Sequence, residues 1–333
     1  MDQRKSVLLL GGSGQAGSDT AAHLRRWHPE LPLTIAGRNL ERAQRVADEL
    51  GGATAVTVDL ARGDLGLPAG QQYTAVIATL WDSRLNGLRF AQDHGAPYVS
   101  LSSGMIDVAP EITAGMQRPA AAPVLMASHW AAGVITLATL EFAKEFDRVD
   151  TIRIGAILDE NDAGGPAGLA DLERWAEVTS AGYARRDGVF GWVGADEAQV
   201  ELRSLDGTAV IGQIIPILDV TSLATATGAP NVEFAFAVGQ SAGARRGEGP
   251  SVEVRIDLEG VGPSGMPLSV NRHVVHQDGQ RPLTSLGLAL GVERLLGLRG
   301  DAVAPGIYTP EVLLDPAYVV EQLVDAGTTF VDA

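Results

Sequence analysis

Three glycines, Gly12, Gly14 and Gly17, stand in the run Gly11-Gly12-Ser13-Gly14-Gln15-Ala16-Gly17. The short apolar segment Ser6 to Leu10 before it reads as a buried strand, and Ser18 to His28 after it reads as a helix. Glycines so spaced at a strand–turn–helix junction suit a dinucleotide pyrophosphate. Gly12 permits the tight turn, Gly14 lets backbone approach phosphate with no Cβ between, and Gly17 lets helix and strand pack closely. The helix start offers free N–H groups and the positive end of its dipole. Ser13, Gln15 and Ala16 belong to the same turn and join the expected cofactor contacts. The alternative is a glycine-rich turn without a ligand.

Leu33 to Ala36 reads as a second strand, ending at Gly37-Arg38-Asn39. An Asp or Glu at about this distance from the fingerprint would hold the ribose 2′-hydroxyl of NAD. No acid stands there. Arg38 does, and a guanidinium can pair bidentately with a 2′-phosphate. NADP(H) is therefore expected, with NAD(H) second; otherwise Arg38 merely caps the surface. Asp59, at the end of a third strand, lies beside the adenine or caps a loop.

Ligands of parallel sheets bind outside the carboxyl ends of the strands. That edge receives Thr79, Leu80, Trp81 and Asp82 after strand four, Ser102 and Ser103 after strand five, and Ser128, His129 and Trp130 after strand six. Thr79 and Leu80 are expected at the cofactor, and Trp81, Ser102, Ser103 and Trp130 at the substrate. Hydride reduction of an imine or carbonyl uses a proton donor. Histidine is the side chain best suited to proton transfer near neutral pH, which makes His129 the first candidate, and Asp82 could serve if burial raises its pKa. Each also has a structural reading, His129 as a cap of the helix that follows and Asp82 as an N-cap, while the tryptophans could be core. Arg185, Arg186 and Arg272 could hold a substrate carboxylate or be solvated. His273 and His276, three apart on a strand, face opposite ways, so no metal is expected. None of the five tyrosines has a Lys four residues on, which excludes the Tyr–Lys acid of short-chain dehydrogenases.

The chain has 333 residues, 45% hydrophobic and 20% charged, with a net charge of −16. This is the make-up of a globular protein of one or two domains. The acidity argues against nucleic acid or anionic membrane as partner. No cysteine is present, which removes disulfides, thiolate metal sites and a Cys nucleophile. The opening apolar run stops at the glycines, so no secretory signal is read, and the cytoplasm is the expected location.

Strands at 54–58, 75–78, 97–101 and 124–127, with helices at 40–50, 86–94 and 131–146, alternate as a doubly wound parallel sheet requires. The pattern then changes. A strand at 151–156 and a helix from Leu169 to Tyr183 precede strand-like runs at 209–217, 232–238, 252–258 and 267–275, the sign of a mixed second sheet. Helices at 282–295 and 317–326 close the chain. The expected domains are 1–148 with 283–333, and 149–282. The uncovered edge or face of the second sheet suggests a homodimer.

The chain resembles the saccharopine dehydrogenase-like (saccharopine reductase-type) oxidoreductases. The resemblance rests on Gly12-Ser13-Gly14-Gln15-Ala16-Gly17, Ala36-Gly37-Arg38-Asn39, Val58-Asp59, Tyr98-Val99-Ser100 and Pro305-Gly306-Ile307-Tyr308-Thr309-Pro310-Glu311. It implies an α/β fold: a Rossmann doubly wound parallel sheet with an inserted mixed-sheet α+β second domain, and a C-terminal segment returning to the first. It also implies NAD(P)-dependent C–N redox chemistry on a small amino or imino substrate. Three stretches depart from the family. Leu80-Trp81-Asp82 stands where Gly-Pro-Phe is common, serines replace an acid at strand five, and His129-Trp130-Ala131-Ala132-Gly133 replaces a Pro-Gly. These departures keep open a redox-silent NADP-binding sensor or scaffold, and a C=O or C=C reductase.

Overall fold

The computed structural model describes residues 5–101, 104–162, 168, 170–171, 173–174, 177 and 180–333. Two compact units divide the chain: Met1–Ser128 with Ser285–Leu314, and His129–Thr284 with Asp315–Ala333. Element numbers below run along the chain. No helix of the described residues is long and apolar enough to cross a membrane.

The first unit alternates β1 (Ser6–Leu10), α1 (Gln15–Trp27), β2 (Leu33–Gly37), α2 (Leu40–Leu50), β3 (Ala53–Thr57), β4 (Tyr73–Ala78), α3 (Asn86–Asp93), β5 (Tyr98–Ser100), α4 (Met105–Met116) and β6 (Pro123–Met126). With β15 (Gly306–Tyr308) these strands form one parallel sheet in the order β15-β6-β5-β4-β1-β2-β3. Leu8, Leu9, Leu10, Ile35, Ile77 and Leu125 are all at most 1% exposed. A strand buried on both faces must be apolar throughout, and each such side chain contributes about 1.5–3 kcal/mol. Strand order reverses between β1 and β4, which opens a crevice at their carboxyl ends. Gly291 of α7 (Arg281–Leu295) lets that helix lie close to β6, since a Cβ there would sit 2.6 Å from Leu125 Cδ2.

The second unit is built on a mixed sheet. Its centre is the parallel pair β7 (Arg148–Asp159) and β12 (Asn231–Gly239). Antiparallel strands β13 (Val252–Val261), β14 (Pro267–His276) and β16 (Thr329–Asp332) extend one side. On the other, β12 pairs with both β11 (Ala209–Ile214) and β8 (Gly182–Arg186), which carry β10 (Gln199–Arg203) and β9 (Val189–Val193). Helices α5 (Val134–Ala143), α6 (Leu218–Thr227) and α8 (Pro316–Asp325) pack in this unit, α5 against both of the others.

Several elements differ from the sequence reading. Residues 315–333 belong to the second unit, because β16 pairs with β14 and α8 packs on α5. The expected return of 283–333 to the first unit holds only for Ser285–Leu314, and the first boundary falls at Ser128 rather than 148. Gly182 and Tyr183 lie in a strand, so the helix expected to reach Tyr183 stops short; its expected apolar residues Leu169, Leu172, Trp175 and Ala176 fall outside the described residues. The helix expected from Ala131 begins at Val134, after a left-handed turn. Helices α4 and α6 are additions. Pro110 inside α4 and the broken apolar periodicity around Glu111 conceal the first.

Candidate functional site

The glycine run forms a tight turn between β1 and α1. Gly11 N–H donates to Ala36 O and Gly12 N–H to Leu9 O, both at 3.0 Å, so the chain turns sharply off β1. A Cβ on Gly12 would lie 2.8 Å from Leu9 O. One on Gly17 would lie 2.5 Å from Gly11 O and 2.7 Å from Gly12 Cα. No side chain fits at either position. Gly14 caps α1 without a side-chain hydrogen bond, and the first turn carries no acid. The N–H groups of that turn, next to Gln15 and Ala16, suit a phosphate. Thr79 N–H and Oγ1 both donate to Leu10 O at 3.0 Å, tying the end of β4 to β1. Leu80 lies over Gly11, where a Cβ would meet its Cδ2 at 2.7 Å.

The end of β2 lies beside the glycine turn. Ser13 Oγ would be 2.9 Å from a Cβ on Gly37, so the glycine turn touches that strand end. Arg38 is exposed, directly after β2 and three residues before Glu41 in the first turn of α2. The Asn39 side chain accepts from Arg42 N–H at 2.9 Å, which gives it a capping task at the start of α2. Ser13, Gly14, Gln15, Ser18, Arg42 and Arg45 line a cavity of about 240 Å³. Sequence reading passed over Arg42 and Arg45. Their spacing from Arg38, four and seven residues along a helix start, was the available signal. Asp59 Oδ1 accepts from Ala61 N–H at 2.9 Å, closing the loop after β3.

A cluster of acids lies at the ends of β4 and β5. Asp82 is 2% exposed and its Oδ2 accepts from Gly87 N–H in the first turn of α3 at 2.6 Å, while Leu85 is the N-cap residue. Burial raises its pKa, and the N–H groups of Gly87, Arg84, Asn86 and Leu85 oppose the rise. Ser100 Oγ donates to Glu111 Oε2 at 3.0 Å. Glu111, 3% exposed on α4, has its pKa raised from 4.5 to about 7, chiefly by burial and further by the charges of Asp82 and Asp107. Tyr98 is fully buried beside them and its hydroxyl is held well above its ordinary pKa, first by burial and then by Glu111 and Asp82. Glu111 was not among the residues singled out from sequence.

The folded pKa of Glu111 exceeds its unfolded value, so the folded chain binds the extra proton between about pH 4.5 and about pH 7. Stability must fall as pH rises through that window and stay lowered above it, by about 3 kcal/mol. Glu111→Gln removes the ionisation. Denaturant unfolding of the variant is expected to be flatter with pH, and above pH 7 the variant should be the more stable. An unchanged pH dependence would take Glu111 out of this account.

His129 and Trp130 belong to the second unit, and Thr79–Asp82 to the first. His129 is 4% exposed, and its Nε2 lies 2.8 Å from Ser222 Oγ on α6. Ala131 and Ala132 then take left-handed backbone, with φ of 48° and 53°, ahead of Gly133 at 91°. Each such alanine costs about 1–2 kcal/mol. Asp219, fully buried on α6, holds the turn: its Oδ2 accepts from Trp130 N–H at 2.9 Å and its Oδ1 from Thr136 Oγ1 at 2.6 Å. Burial raises the Asp219 pKa, opposed by the His129 charge and these hydrogen bonds. Asp219, His129 and Ser222 thus lie together, with the carboxylate accepting from Trp130 and Thr136. The Trp130 ring packs on Phe234 and Phe236 at 5.6 and 5.1 Å, a core position.

Of the remaining expected residues, Trp81 is 38% exposed, and Ser102 and Ser103 lie outside the described residues. Arg272 pairs with Glu145 and Asp332 over the Phe142 ring. Arg185 donates to the carbonyls of Gly188, Ala224 and Ala229, and Arg186 reaches Glu197. His276 bonds Thr328, His273 is buried on β14, and no metal-holding cluster occurs among the described residues.

No family model matches the chain, and no curated protein does. Solved structures align with it along nearly its whole length. A myo-inositol dehydrogenase from Corynebacterium glutamicum covers 98% of each chain at a TM-score of 0.48 and 14% identity. Saccharopine dehydrogenase (L-Glu forming) from Saccharomyces cerevisiae aligns over 99% of this chain and 100% of its own, at a TM-score of 0.68 and 12% identity. The chain therefore shares the fold of saccharopine dehydrogenase, a parallel dinucleotide-type sheet with a second, mixed sheet.

Proposed function

We propose that the chain is an NADP(H)-dependent oxidoreductase that moves a hydride to or from the C–N carbon of a small amino or imino substrate. The cradle that any Cβ at Gly12 or Gly17 would fill carries this reading. The α1 turn receives the pyrophosphate, and Arg38 receives the 2′-phosphate. When bound, the nicotinamide supplies or accepts the hydride. Thr79 and Leu80 hold the edge of the cradle. His129 is the proposed proton donor, and Asp82, whose Oδ2 accepts from Gly87 N–H, is the alternative. An iminium substrate would need no such proton.

Arg38→Ala is expected to weaken NADPH by about 2–3 kcal/mol, the size of a charge-assisted hydrogen bond, and to leave NADH nearly unchanged. Calorimetric titration of both cofactors decides it, and equal losses would remove Arg38 from the 2′-phosphate. His129→Ala is expected to lower turnover about 100-fold and delete one ionisation from the pH–rate profile, with NADPH affinity intact. Turnover is screened on amino and keto acids. A variant as active as the parent would return His129 to its structural task. Tight cofactor binding with no turnover on any of them would favour a redox-silent sensor.

A further inference from the structure

One buried acid has no part in the reading above. Glu111 reaches from α4 to Ser100, the last residue of β5. Ser100 Oγ also lies 3.6 Å from Met126 Sδ of β6. Beside it, Asp82 Oδ1 and Tyr98 OH are buried without a partner among the described residues. A Cβ on Gly87 would lie 3.1 Å from Asp82 Oδ2 and 3.5 Å from Tyr98 Cε2, so these two groups close over that glycine. Neither Glu111 nor Asp82 has an ion-pair partner among the described residues.

The position in the sheet gives this cluster its meaning. A doubly wound sheet binds one mononucleotide on each half. Arg38 directly follows β2, on the β1-β2-β3 half. The β4-β5-β6 half, where Asp82 and Ser100 lie, then faces the nicotinamide. The oxidised ring carries one positive charge more than the reduced ring. A carboxylate on that half discriminates between them, and its protonated form does not.

We propose that Glu111, held by Ser100, is a positioning residue for charge at the nicotinamide end, whose ionised form favours NADP⁺ and whose protonated form favours NADPH. The proposal rests on the cofactor reading above. Glu111 changes charge near pH 7. Asp82 from the loop after β4, Asp107 on α4 itself and Tyr98 on β5 are the titratable groups that bear on it, and the Ser100 hydroxyl opposes the two aspartates. Proton and cofactor charge are then linked by mass action, so pH sets which form of the cofactor the protein prefers.

The test is calorimetric titration of the full chain with NADP⁺ and with NADPH, from about pH 5.5 to about pH 8.5. The NADP⁺-to-NADPH affinity ratio is expected to rise about tenfold across this range in the parent protein and to stay level in Glu111→Gln. The ratio cancels the titration of the 2′-phosphate, which both forms share. Ser100→Ala should shift the midpoint to higher pH, because it removes the hydroxyl that stabilises the carboxylate. A level ratio in the parent protein, or a rise that survives in Glu111→Gln, overturns the proposal and leaves the cofactor reading standing. If Glu111→Gln does not fold, an unmoved midpoint in Ser100→Ala overturns it. Failure to bind either cofactor overturns both.

Discussion

Gly17→Ala is expected to cut affinity for NADPH and NADH alike by about 100-fold or more. The added methyl would meet Gly11 O at 2.5 Å, Gly12 Cα at 2.7 Å and Thr79 Oγ1 at 2.9 Å. Two of these atoms are backbone and cannot rotate away. Either the start of α1 moves off β1, or the turn deforms, and a displacement of about 1 Å at a positioning element costs about 100-fold. Overpacking should also lower stability by about 1–3 kcal/mol. Gly14→Ala provides the contrast. Its Cβ would meet only Gly11 O, at 3.1 Å. It should leave the fold nearly intact and still weaken cofactor by keeping backbone and phosphate apart. Calorimetry and denaturant unfolding of the two variants separate the effects. A Gly17→Ala protein that binds cofactor like the parent would sink the assignment of this turn.

Asp219→Ala is expected to destabilise the second unit by about 3 kcal/mol. The substitution leaves Trp130 N–H and the Thr136 hydroxyl without their acceptor, and each buried orphan costs about 1–3 kcal/mol. The left-handed alanines then lose the group that over-determines their backbone. Relief of the buried carboxylate's own desolvation offsets part of this loss. Asp219→Asn keeps one acceptor oxygen and should fall between parent and Ala variant. Denaturant midpoints followed by tryptophan fluorescence give the order. An Ala variant as stable as the parent would show that the turn is held by packing of Trp130 alone.

The two variants probe features of different legibility. The cradle was readable because its requirement is local: three glycines, a strand before and a helix after fix what the backbone does there. The same is true of Arg38, whose place at a strand end follows from counting residues. The alternating strands and helices announced the parallel sheet, because each buried strand must be apolar on both faces. The Asp219 anchor was not readable. Asp219 and Trp130 are 89 residues apart, and no periodicity relates them. Glu111 was hidden for a similar reason, since an acid in a helix interrupted by Pro110 reads as solvated until Ser100 is seen to reach it.

By itself, then, the sequence determined the tight glycine turn, the parallel sheet and the change to a mixed second sheet, because these depend on near neighbours and on apolar spacing. The tertiary structure alone decided three other matters. It sent residues 315–333 to the second sheet, since β14 offered β16 an antiparallel edge that no local pattern announces. It put Trp130 into an aromatic core and Asp82 onto a helix start. It also brought Asp82, Tyr98, Ser100 and Glu111 to one end of the sheet, where burial and mutual repulsion give an ordinary glutamate a near-neutral pKa. Desolvation and charge coupling act through space, so they exist only once the chain has folded.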